Sequence, residues 1–591
     1  MILLMNSASN NFTRKLKKLF TGKTPLKSRI LPAFLSAFAL SFTLFFFGPL
    51  DLTYLSRNYV NCTVTELFPF CLMFWAVTLL CLAVPSALIG GKIHSFLVSV
   101  FCGLALGFYI QGNYLNIDLG VLDGNVIPWQ NYGDNALVNY LIWFFILLIP
   151  FMLHYFSGKI WRNFVILTSL ALILMQGVSI GIKLYDQYRA DKAASSEASD
   201  QYALSMADQY IFSPEKNVVV FLMDATSEDE IRKALQMYPE MLAPFHDFTC
   251  FDNMNTNYLG TFPALTYLLT GTGYDFEQEG YREYFERAWH SDAADSFYSG
   301  LSDNGWKTNL YVDTRHAAFA AKNMLGKVSN VVQIDRSHVR IDRRAFLKLI
   351  KLSLYRYLPL GMKAPFWIYT DDISGLKQTS SDYLPFDSSG SAEQFWKNGL
   401  RAEGEENLFT VYHYEGAHPP YLLNSDGRVK SNNTRQEDQI AGYFHTVAEI
   451  TQYMKDLEIY DSSTIIISAD HGAFQISPFN PQAIFYIKRP SERHAEMIYS
   501  HAMVSQDNFL PTIAEAAGLD PSEYGKTVFE ISDDEQIERC MFWRGNDPAF
   551  PNPQLRFNVM REYCYVGDAE TLIDKISSHD YSTHPMVDTF Y

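Results

Sequence analysis

The sequence predicts two structural units: a membrane region of about five helices, followed by an α/β domain with a mostly parallel sheet covered by helices. The first third of the 591-residue chain contains long apolar stretches without charged residues. The remainder alternates short β-branched runs with longer helical ones, which is the pattern of a parallel sheet with helical crossovers. A chain of this length exceeds one ordinary hydrophobic core, so separate units are expected.

Membrane-spanning helices are predicted wherever an apolar stretch without Lys, Arg, Asp or Glu approaches the roughly 20 residues that cross a bilayer. Five stretches meet this description: Ile30 to Leu50, Leu67 to Ile89, Ser95 to Ile110, Leu137 to Phe156 and Phe164 to Ile182. The third is short, and the fourth contains Pro150 and His154. For these two, a re-entrant or buried segment is the alternative.

The distribution of basic residues predicts the orientation in the membrane. The segment 1–29 is rich in Lys and Arg, whereas Gln111 to Ala136 contains neither and has three Asp. Cytoplasmic segments are the ones enriched in Lys and Arg. With the N-terminus inside and an odd number of spans, everything after Ile182 is predicted to lie outside the cytoplasm, and the first span is too long for a cleaved signal peptide.

The domain boundaries follow from composition. Residues 1–29 form a basic cytoplasmic N-terminus, 30–182 the transmembrane region, 183–213 a linker and 214–591 an extracytoplasmic catalytic domain. The linker is rich in Ala, Ser, Asp, Gln and Tyr. Such a composition buries little apolar surface and predicts a helical or partly flexible spacer.

Within the last segment, strands and helices are predicted in alternation. In chain order they are a strand at Asn217 to Met223, a helix near Glu228 to Met237, a helix from Pro263, a strand near Asn309 to Val312, a strand at Leu408 to Tyr412, a helix from Asp438 to Leu457, and strands at Thr464 to Ser468 and Ala483 to Lys488. The tail after about Gly518 is predicted to complete the domain with extra strands.

Charge and cysteine content exclude some classes of function. The net charge of −17 argues against nucleic acid as a partner, since binding it requires clustered Lys and Arg. The exported segment has only Cys250, Cys540 and Cys564, which leaves room for one disulfide but requires none. No cysteine spacing matches a zinc site, so any metal would be held by oxygen and imidazole ligands.

Acidic residues follow two of the predicted strands. Asp224 ends the apolar run before it, and Asp470 with His471 and Gly472 follows Ser468. Ligands and catalytic groups gather at the carboxyl ends of strands in an open α/β sheet, so these side chains are expected to share one metal site.

Thr261 supplies the hydroxyl of the predicted site. It lies two residues before Pro263, and proline favours the first turn of a helix, where backbone N–H groups attract an anion such as phosphate. A Thr hydroxyl is a weak nucleophile that a divalent cation can activate. An ordinary helix cap is the alternative role for Thr261.

Two histidines occur in the segment His413-Tyr-Glu-Gly-Ala-His418. They are predicted to hold substrate or to move a proton, work that suits a group titrating near neutrality; a structural role is the alternative for His413. Glu415 is a candidate for orienting one of these ligands. Weaker candidates are Arg544 and Arg315 with His316, which are either phosphate contacts or solvated side chains, and His501.

The motifs resemble the sulfatase and alkaline phosphatase superfamily. Thr261 to Gly271 is similar to its nucleophile segment, retaining Pro263 and Leu-Leu-Thr-Gly, while Ala264 and Leu265 replace the Ser and Arg that sulfatases use to convert their nucleophile. Ala-Asp-His-Gly, ending at Gly472, is similar to its metal-binding signature.

A Thr nucleophile after five membrane helices resembles the lipoteichoic acid synthases and phosphoethanolamine transferases, although Asp224 stands where these usually have Glu. The resemblance implies one divalent metal, zinc or manganese, held by Asp224, Thr261, Asp470 and His471. It also implies a phospho-alcohol, either phosphoglycerol or phosphoethanolamine, that moves from a membrane phospholipid to a cell-envelope glycan or polymer. The alternatives are a membrane-anchored hydrolase of phosphate, phosphonate or sulfate esters, and an inactive surface-binding protein.

Overall fold

A computed structural model describes the chain in segments that divide into two compact units. The first unit comprises Met1–Ser199 and Val339–Gln378, and the second comprises Asp200–His338 and Thr379–Tyr591. The described residues are 25–55, 62–117, 119, 127–195, 202–258, 260–275, 281–312, 321–333, 340–368, 377–378, 386, 388–430, 434–472, 482–545, 559–569 and 577–580.

The elements are numbered in chain order. The longer helices are α1 (Leu26–Leu55), α2 (Val64–Leu88), α3 (Gly91–Leu115), α4 (Trp129–Phe156), α5 (Gly158–Ser195), α6 (Glu228–Met237), α7 (Thr261–Thr270), α8 (Tyr281–Trp289), α9 (Asp292–Asp303), α10 (Arg343–Tyr357), α11 (Ser388–Asn398), α12 (Gln436–Asp456) and α13 (Phe509–Ala517).

The strands are β1 (Tyr202–Leu204), β2 (Ile211–Phe212), β3 (Asn217–Met223), β4 (Thr249–Phe251), β5 (Met254–Asn255), β6 (Trp306–Tyr311), β7 (Val331–Gln333), β8 (Arg340–Ile341), β9 (Lys377–Gln378), β10 (Arg401–Ala402), β11 (Asn407–Tyr414), β12 (Thr464–Ser468), β13 (Gln482–Ala483), β14 (Phe485–Lys488), β15 (Ile498–Ser500), β16 (Glu538–Gly545), β17 (Val559–Val566) and β18 (Ser577–Asp580).

Helices α1 to α5 confirm the prediction of five apolar helices. Each is long and apolar enough to cross a membrane. The third helix, predicted as a short stretch, is 25 residues long, because polar residues at both ends of the apolar run also adopt helical backbone. Pro150 lies inside α4 without ending it.

The first unit contains the five apolar helices and is called the membrane unit below, and the second contains the predicted catalytic residues and is called the catalytic unit. Residues 339–378 belong to the membrane unit, which differs from the predicted continuous domain from 214 to 591. Helix α10 packs against α1 where Gly48 has no side chain, and a Cβ at that position would overlap the Ser353 hydroxyl. Asp51, buried at the end of α1, pairs with Arg356 at 2.6 Å and with Lys183 of α5. The contacts between α10 and α1 join residues about 300 positions apart in sequence, so local patterns could not predict them.

The catalytic unit is built on a seven-stranded sheet in the order β15-β4-β14-β12-β3-β11-β6. Strand β3 is central and pairs in parallel with both β11 and β12. The sheet is mostly parallel, as predicted, but β14 runs antiparallel to its neighbours β12 and β4. All seven residues of β3 are buried, which explains its continuous apolar sequence, since helices cover both faces of a parallel sheet.

The predicted linker contains regular structure. Helix α5 continues through Ser195, and β1 and β2 lie within the second half of the segment. Strand β1 pairs with β7, and β2 pairs with β10. The chain between residues 202 and 213 is therefore part of the catalytic unit.

The tail after Gly518 adds a three-stranded sheet of β16, β17 and β18, as predicted. Cys540 and Cys564 lie opposite each other on β16 and β17 and form a disulfide. Cys250 is free and buried in β4, and burial raises the pKa of its thiol.

Candidate metal and phosphoryl-transfer site

The candidate site lies at the carboxyl ends of three adjacent parallel strands. Leu222 of β3 is in register with Ser468 of β12 on one side and with His413 of β11 on the other. Asp224 and Asp470 each lie two residues beyond these positions of β3 and β12. The strand register therefore brings two carboxylates and the His413 imidazole together, because neighbouring strands are only about 4.8 Å apart.

The side chains converge at short distances. His413 Nε2 lies 3.5 Å from Asp470 Oδ2 and 3.9 Å from Asp224 Oδ2. His471 Nε2 lies 3.6 Å from Asp470 Oδ2 and 3.5 Å from Asp224 Oδ1. Both carboxylates and the His471 ring are buried, so this is an enclosed polar cluster and not a solvated surface group.

Hydrogen bonds fix the orientation of the Asp470 carboxylate. Its Oδ1 accepts from the backbone N–H of His471 at 2.9 Å and of Ala225 at 3.2 Å. The backbone carbonyl oxygen of Asp470 accepts from Gln506 Nε2 at 2.5 Å and from the Thr256 hydroxyl at 3.3 Å. Oδ2 is thereby directed at the two imidazoles.

The electrostatic environment favours the ionised form of Asp470. Complete burial alone would raise the pKa of its carboxyl, but the positive charge available from His471 and the nearby ring of His413, whose Nε2 lies 3.5 Å away, hold the pKa below its ordinary value. Burial and neighbouring positive charge are expected to shift the pKa of a carboxyl in opposite directions. Asp470 is therefore an anion at neutral pH and is suited to bind a cation.

His471 presents one defined ring nitrogen to the cluster. Its Nδ1 lies 2.7 Å from the Gly472 carbonyl oxygen, which can only accept, so Nδ1 carries the proton in this hydrogen bond. Nε2 faces Thr261 and the carboxylates, and it offers them a lone pair when the ring is neutral. A backbone carbonyl on one nitrogen is the usual means of orienting an imidazole that binds a metal through the other.

Thr261 is the first residue of α7, and Gly260 occupies the cap position without a side-chain bond. Its hydroxyl lies 3.3 Å from His471 Nε2. The alternative role of Thr261 as an ordinary cap does not match this geometry, since the hydroxyl points into the cluster. The amide-rich first turn of α7 adds a favourable environment for an anion.

Two residues with left-handed backbone bring the loops together. Ala225, directly after Asp224, has φ of 54°, a strained conformation for a residue with a Cβ, and its N–H reaches Asp470. Gly416 has φ of 51°, and a Cβ there would lie 2.6 Å from the Asp224 carbonyl oxygen. Glycine is required at 416 because the two loops touch backbone to backbone.

His418 and Glu415 extend the cluster on the side of Asp224. His418 Nδ1 lies 2.6 Å from the Pro419 carbonyl oxygen, which orients the ring, and 3.8 Å from Glu415 Oε2. One ligand atom each of Asp224, Glu415 and His418 lie within 4.8 Å of one another. Both side chains are partly exposed, so His418 can meet a substrate that enters from solvent.

The residues present fit a divalent metal. Asp224, His413 and Asp470 place one potential ligand atom each within 4.8 Å of one another. His413 Nε2 and Asp470 Oδ2 are buried without a conventional hydrogen bond to the described residues. Leaving such atoms unpaired is costly, and a cation that binds oxygen and imidazole ligands would satisfy both.

The structure brings together Asp224, Thr261, Asp470, His471 and His413, with His418 beside them. The Arg315–His316 pair lies outside the described residues, and so does the side chain of Arg544, whose backbone belongs to β16. His501 is separate from the cluster: it pairs with Asp252 at 2.8 Å and with Asp568 at 3.4 Å. The hydrogen bond that His501 donates to the Asp252 carboxylate raises the pKa of His501.

Sequence reasoning did not find the residues that hold the site in position. Gln506 orients Asp470 from a turn that precedes α13. Gln439 of α12 donates to the carbonyl oxygens of Gly416 and His418, both at 3.0 Å. Neither glutamine belongs to a motif, and only long-range contacts reveal their role.

Comparison with known proteins gave no match to a family model and none to a curated protein. Among solved structures, the chain is similar to a protein of the alkaline phosphatase superfamily from Vibrio parahaemolyticus, with 11% identity, a TM-score of 0.37, and 65% of this chain and 83% of the other covered.

A second similar structure is a phosphonate monoester hydrolase from Silicibacter pomeroyi, with 14% identity and a TM-score of 0.35. The similarity covers 63% of this chain and 90% of the hydrolase. A third is the integral membrane protein lipooligosaccharide phosphoethanolamine transferase A from Neisseria meningitidis, with 13% identity and a TM-score of 0.30. The similarity covers 84% of this chain and 96% of the transferase. These similarities are too weak to assign a reaction, which has to be argued from the side chains of the cluster.

Proposed function

We propose that the protein is a membrane-anchored, metal-dependent transferase that moves a phospho-alcohol head group from a phospholipid to a hydroxyl of a cell-envelope glycan or polymer. The observation that carries the proposal is the Thr261 hydroxyl, which lies 3.3 Å from His471 Nε2 at the start of a helix. Two buried carboxylates face the same imidazole. A hydroxyl in this position is suited to attack phosphorus.

In the first half-reaction, Thr261 Oγ1 forms a bond to phosphorus while the bond between phosphorus and the diacylglycerol oxygen breaks. The Thr261 proton is lost to solvent, and His418 gives a proton to the departing oxygen. In the second half-reaction, the acceptor hydroxyl gives its proton to His418 and attacks phosphorus. The bond between phosphorus and Thr261 Oγ1 breaks, and Thr261 takes back a proton from solvent. Such general acid–base work suits an imidazole at neutral pH.

Asp224, Asp470, His471 and the Thr261 oxygen would hold the metal, and His413 adds a nitrogen to the same cluster. A divalent cation, zinc or manganese, would lower the pKa of the Thr261 hydroxyl and supply positive charge to the phosphoryl oxygens. The helix amides at Thr261 and the histidines would stabilise the charge that develops on those oxygens.

The location outside the cytoplasm is part of the proposal. The basic residues of segment 1–29 favour a cytoplasmic N-terminus, and the five spans carry the chain to the opposite side. The disulfide between Cys540 and Cys564 supports an oxidising compartment for the catalytic unit. The donor head group would then lie in the outer leaflet.

The test is peptide mass spectrometry of the metal-loaded protein after incubation with mixed phospholipids. A phosphoglycerol or phosphoethanolamine mass on the Thr261 peptide is expected, and Thr261→Ala should abolish it, because the attacking oxygen is gone. Thr261→Ser retains the hydroxyl and is expected to keep a detectable adduct. An adduct that persists in Thr261→Ala would exclude Thr261 as the nucleophile.

Hydrolysis of phosphate, phosphonate or sulfate esters is the second candidate, because Asp224 occupies the position where sulfatases also have Asp. The same cluster would act, with water in place of the acceptor hydroxyl. Rapid release of the alcohol phosphate into solution, without any increase when glycan acceptors are added, would favour the hydrolase. An inactive binding protein is the least supported alternative, since the described cluster retains the nucleophile and its charged partners.

A further inference from the structure

The membrane unit contains an apolar groove of about 1000 Å³ that the proposed reaction does not explain. Helix α2 supplies one wall through Glu66, Phe70, Met73 and Phe74. These positions recur at three- and four-residue intervals, so they lie on one face of the helix. The groove is therefore a continuous strip along the outer surface of α2.

The second wall comes from the segment that returns to the membrane unit. Ile341, Arg343, Phe346 and Leu347 line it, mostly from the first turns of α10. The Phe346 ring lies 6.0 Å from the Phe74 ring and 6.5 Å from the Phe70 ring, which closes the base of the groove. Met73 and Leu347 remain exposed along its sides.

The length of the groove along α2 is close to the thickness of one leaflet. Its lining residues on α2 extend from Glu66 to Phe74, which is about 12 Å at 1.5 Å per residue. Half of the hydrocarbon core is roughly 15 Å. Thr63 and Glu66 form a capping box at the start of α2, a polar end that suits the head-group level.

One cationic side chain of the groove is suited to a phosphate. Arg343 is exposed and lines the groove, and Arg344 follows it. The Glu66 carboxylate accepts from the Thr63 backbone N–H at 2.9 Å, so it is engaged by the helix cap. An apolar groove that includes a guanidinium matches one acyl chain and the phosphate of a phospholipid.

We infer that this groove is a phospholipid-binding site, with an acyl chain between α2 and α10 and the lipid phosphate on Arg343. The inference rests on the proposed function for one point, the topology that places this end of α2 at the outer leaflet. It gives the returning segment 339–378 a role: α10 provides the wall that turns a lipid-facing helix into a binding site.

The experiment uses the full chain in vesicles that contain a phospholipid with a photoactivatable group in its acyl chain. Cross-links are expected to concentrate on the peptides of α2 and α10 that line the groove. Met73→Trp fills the groove and should reduce these cross-links at least about fivefold, equivalent to a modest loss of affinity. Leu80→Trp, two turns along the same exposed side of α2, is the matched control and should leave them unchanged.

A second pair of variants tests the phosphate contact. Arg343→Gln should reduce cross-linking of the phospholipid, whereas Arg344→Gln, which changes the same charge beside the groove, should have little effect. Cross-links spread evenly over the lipid-facing helices and insensitive to Met73→Trp would overturn the inference. Cross-linking is independent of catalysis, so a lipid-labelled groove without a Thr261 adduct would reject the proposed reaction while retaining this site.

Discussion

At the scale of single residues, the two carboxylate oxygens of Asp470 have different roles. One carboxylate oxygen accepts two backbone N–H groups, and the other faces the imidazoles of His413 and His471. The left-handed conformation of Ala225 supplies one of those N–H groups. Strain at Ala225 is consistent with a functional position, because the surrounding contacts must maintain it.

Replacing Asp470 with Asn tests whether the cluster binds a metal. The amide has nearly the same shape but carries no charge, and it cannot supply an anionic ligand. We expect metal content, measured by elemental mass spectrometry, to fall well below stoichiometric, with activity reduced at least about 100-fold, because loss of even an indirect contact costs 10- to 100-fold.

Asp252→Asn is the matched control for that change, since Asp252 pairs with His501 outside the cluster. It should retain full metal content and activity. Normal metal content in Asp470→Asn would contradict the assignment of Asp470 as a ligand.

At the scale of elements, the loop after β11 places His418 beside Asp224. Gly416 lies against the backbone of Asp224, and the Thr226 hydroxyl accepts from the Ala417 N–H at 3.0 Å. Gln439 of α12 holds the other side of the loop. The loop is thus fixed between β3 and α12, and a small displacement would separate His418 from Asp224.

Gly416→Ala should therefore lower the proposed activity without unfolding the protein. The left-handed backbone costs about 1–2 kcal/mol for any residue with a Cβ, and at 416 the new Cβ would also displace the Asp224 carbonyl. We expect turnover to fall by about tenfold or more, since misplacement of about 1 Å can cost a hundredfold. Turnover and thermal melting should be measured together.

Gly404→Ala is the control for backbone strain. Gly404 has φ of 97°, and no atom lies within 4 Å of the position where its Cβ would be. This variant should lose some stability but keep its activity. Equal activity in the two variants would show that the close contact at Gly416 is not needed for the site.

At the scale of the whole molecule, the chain leaves the membrane unit, enters the catalytic unit and returns for residues 339–378 before completing the catalytic sheet. Two glycines allow α10 to pack closely against α1 and α3. A Cβ at Gly48 or Gly112 would overlap Ser353 or Tyr357 of α10. Replacement of Gly48 by a larger residue would have to push α10 away from α1.

The orientation in the membrane can be tested with single cysteines. Ser302 is exposed at the end of α9, and Lys92 is exposed at the start of α3. We expect a membrane-impermeant maleimide to label Ser302→Cys in intact cells and to label Lys92→Cys only after permeabilisation, because basic turns remain in the cytoplasm. The parent chain supplies the background from its own free cysteines, and the reverse pattern would place the catalytic unit inside.

The sequence by itself determined the five apolar helices, the buried strands β3 and β12, and the acidic residues that follow them. Each of these depends on interactions within one short segment: continuous apolar character, β-branched composition, or an acidic residue at the end of a run. Asp224 and Asp470 could be proposed as partners because parallel strands end at the same edge of a sheet.

Only the tertiary structure decided where His413 lies, which residues orient the ligands, and to which unit residues 339–378 belong. His413 approaches Asp470 through strand register, and Gln506 reaches the same residue from 36 positions away. Segment 339–378 joins the membrane unit through contacts that span about 300 positions. Such pairings depend on the packing of segments distant in sequence, and no local pattern of residues encodes them.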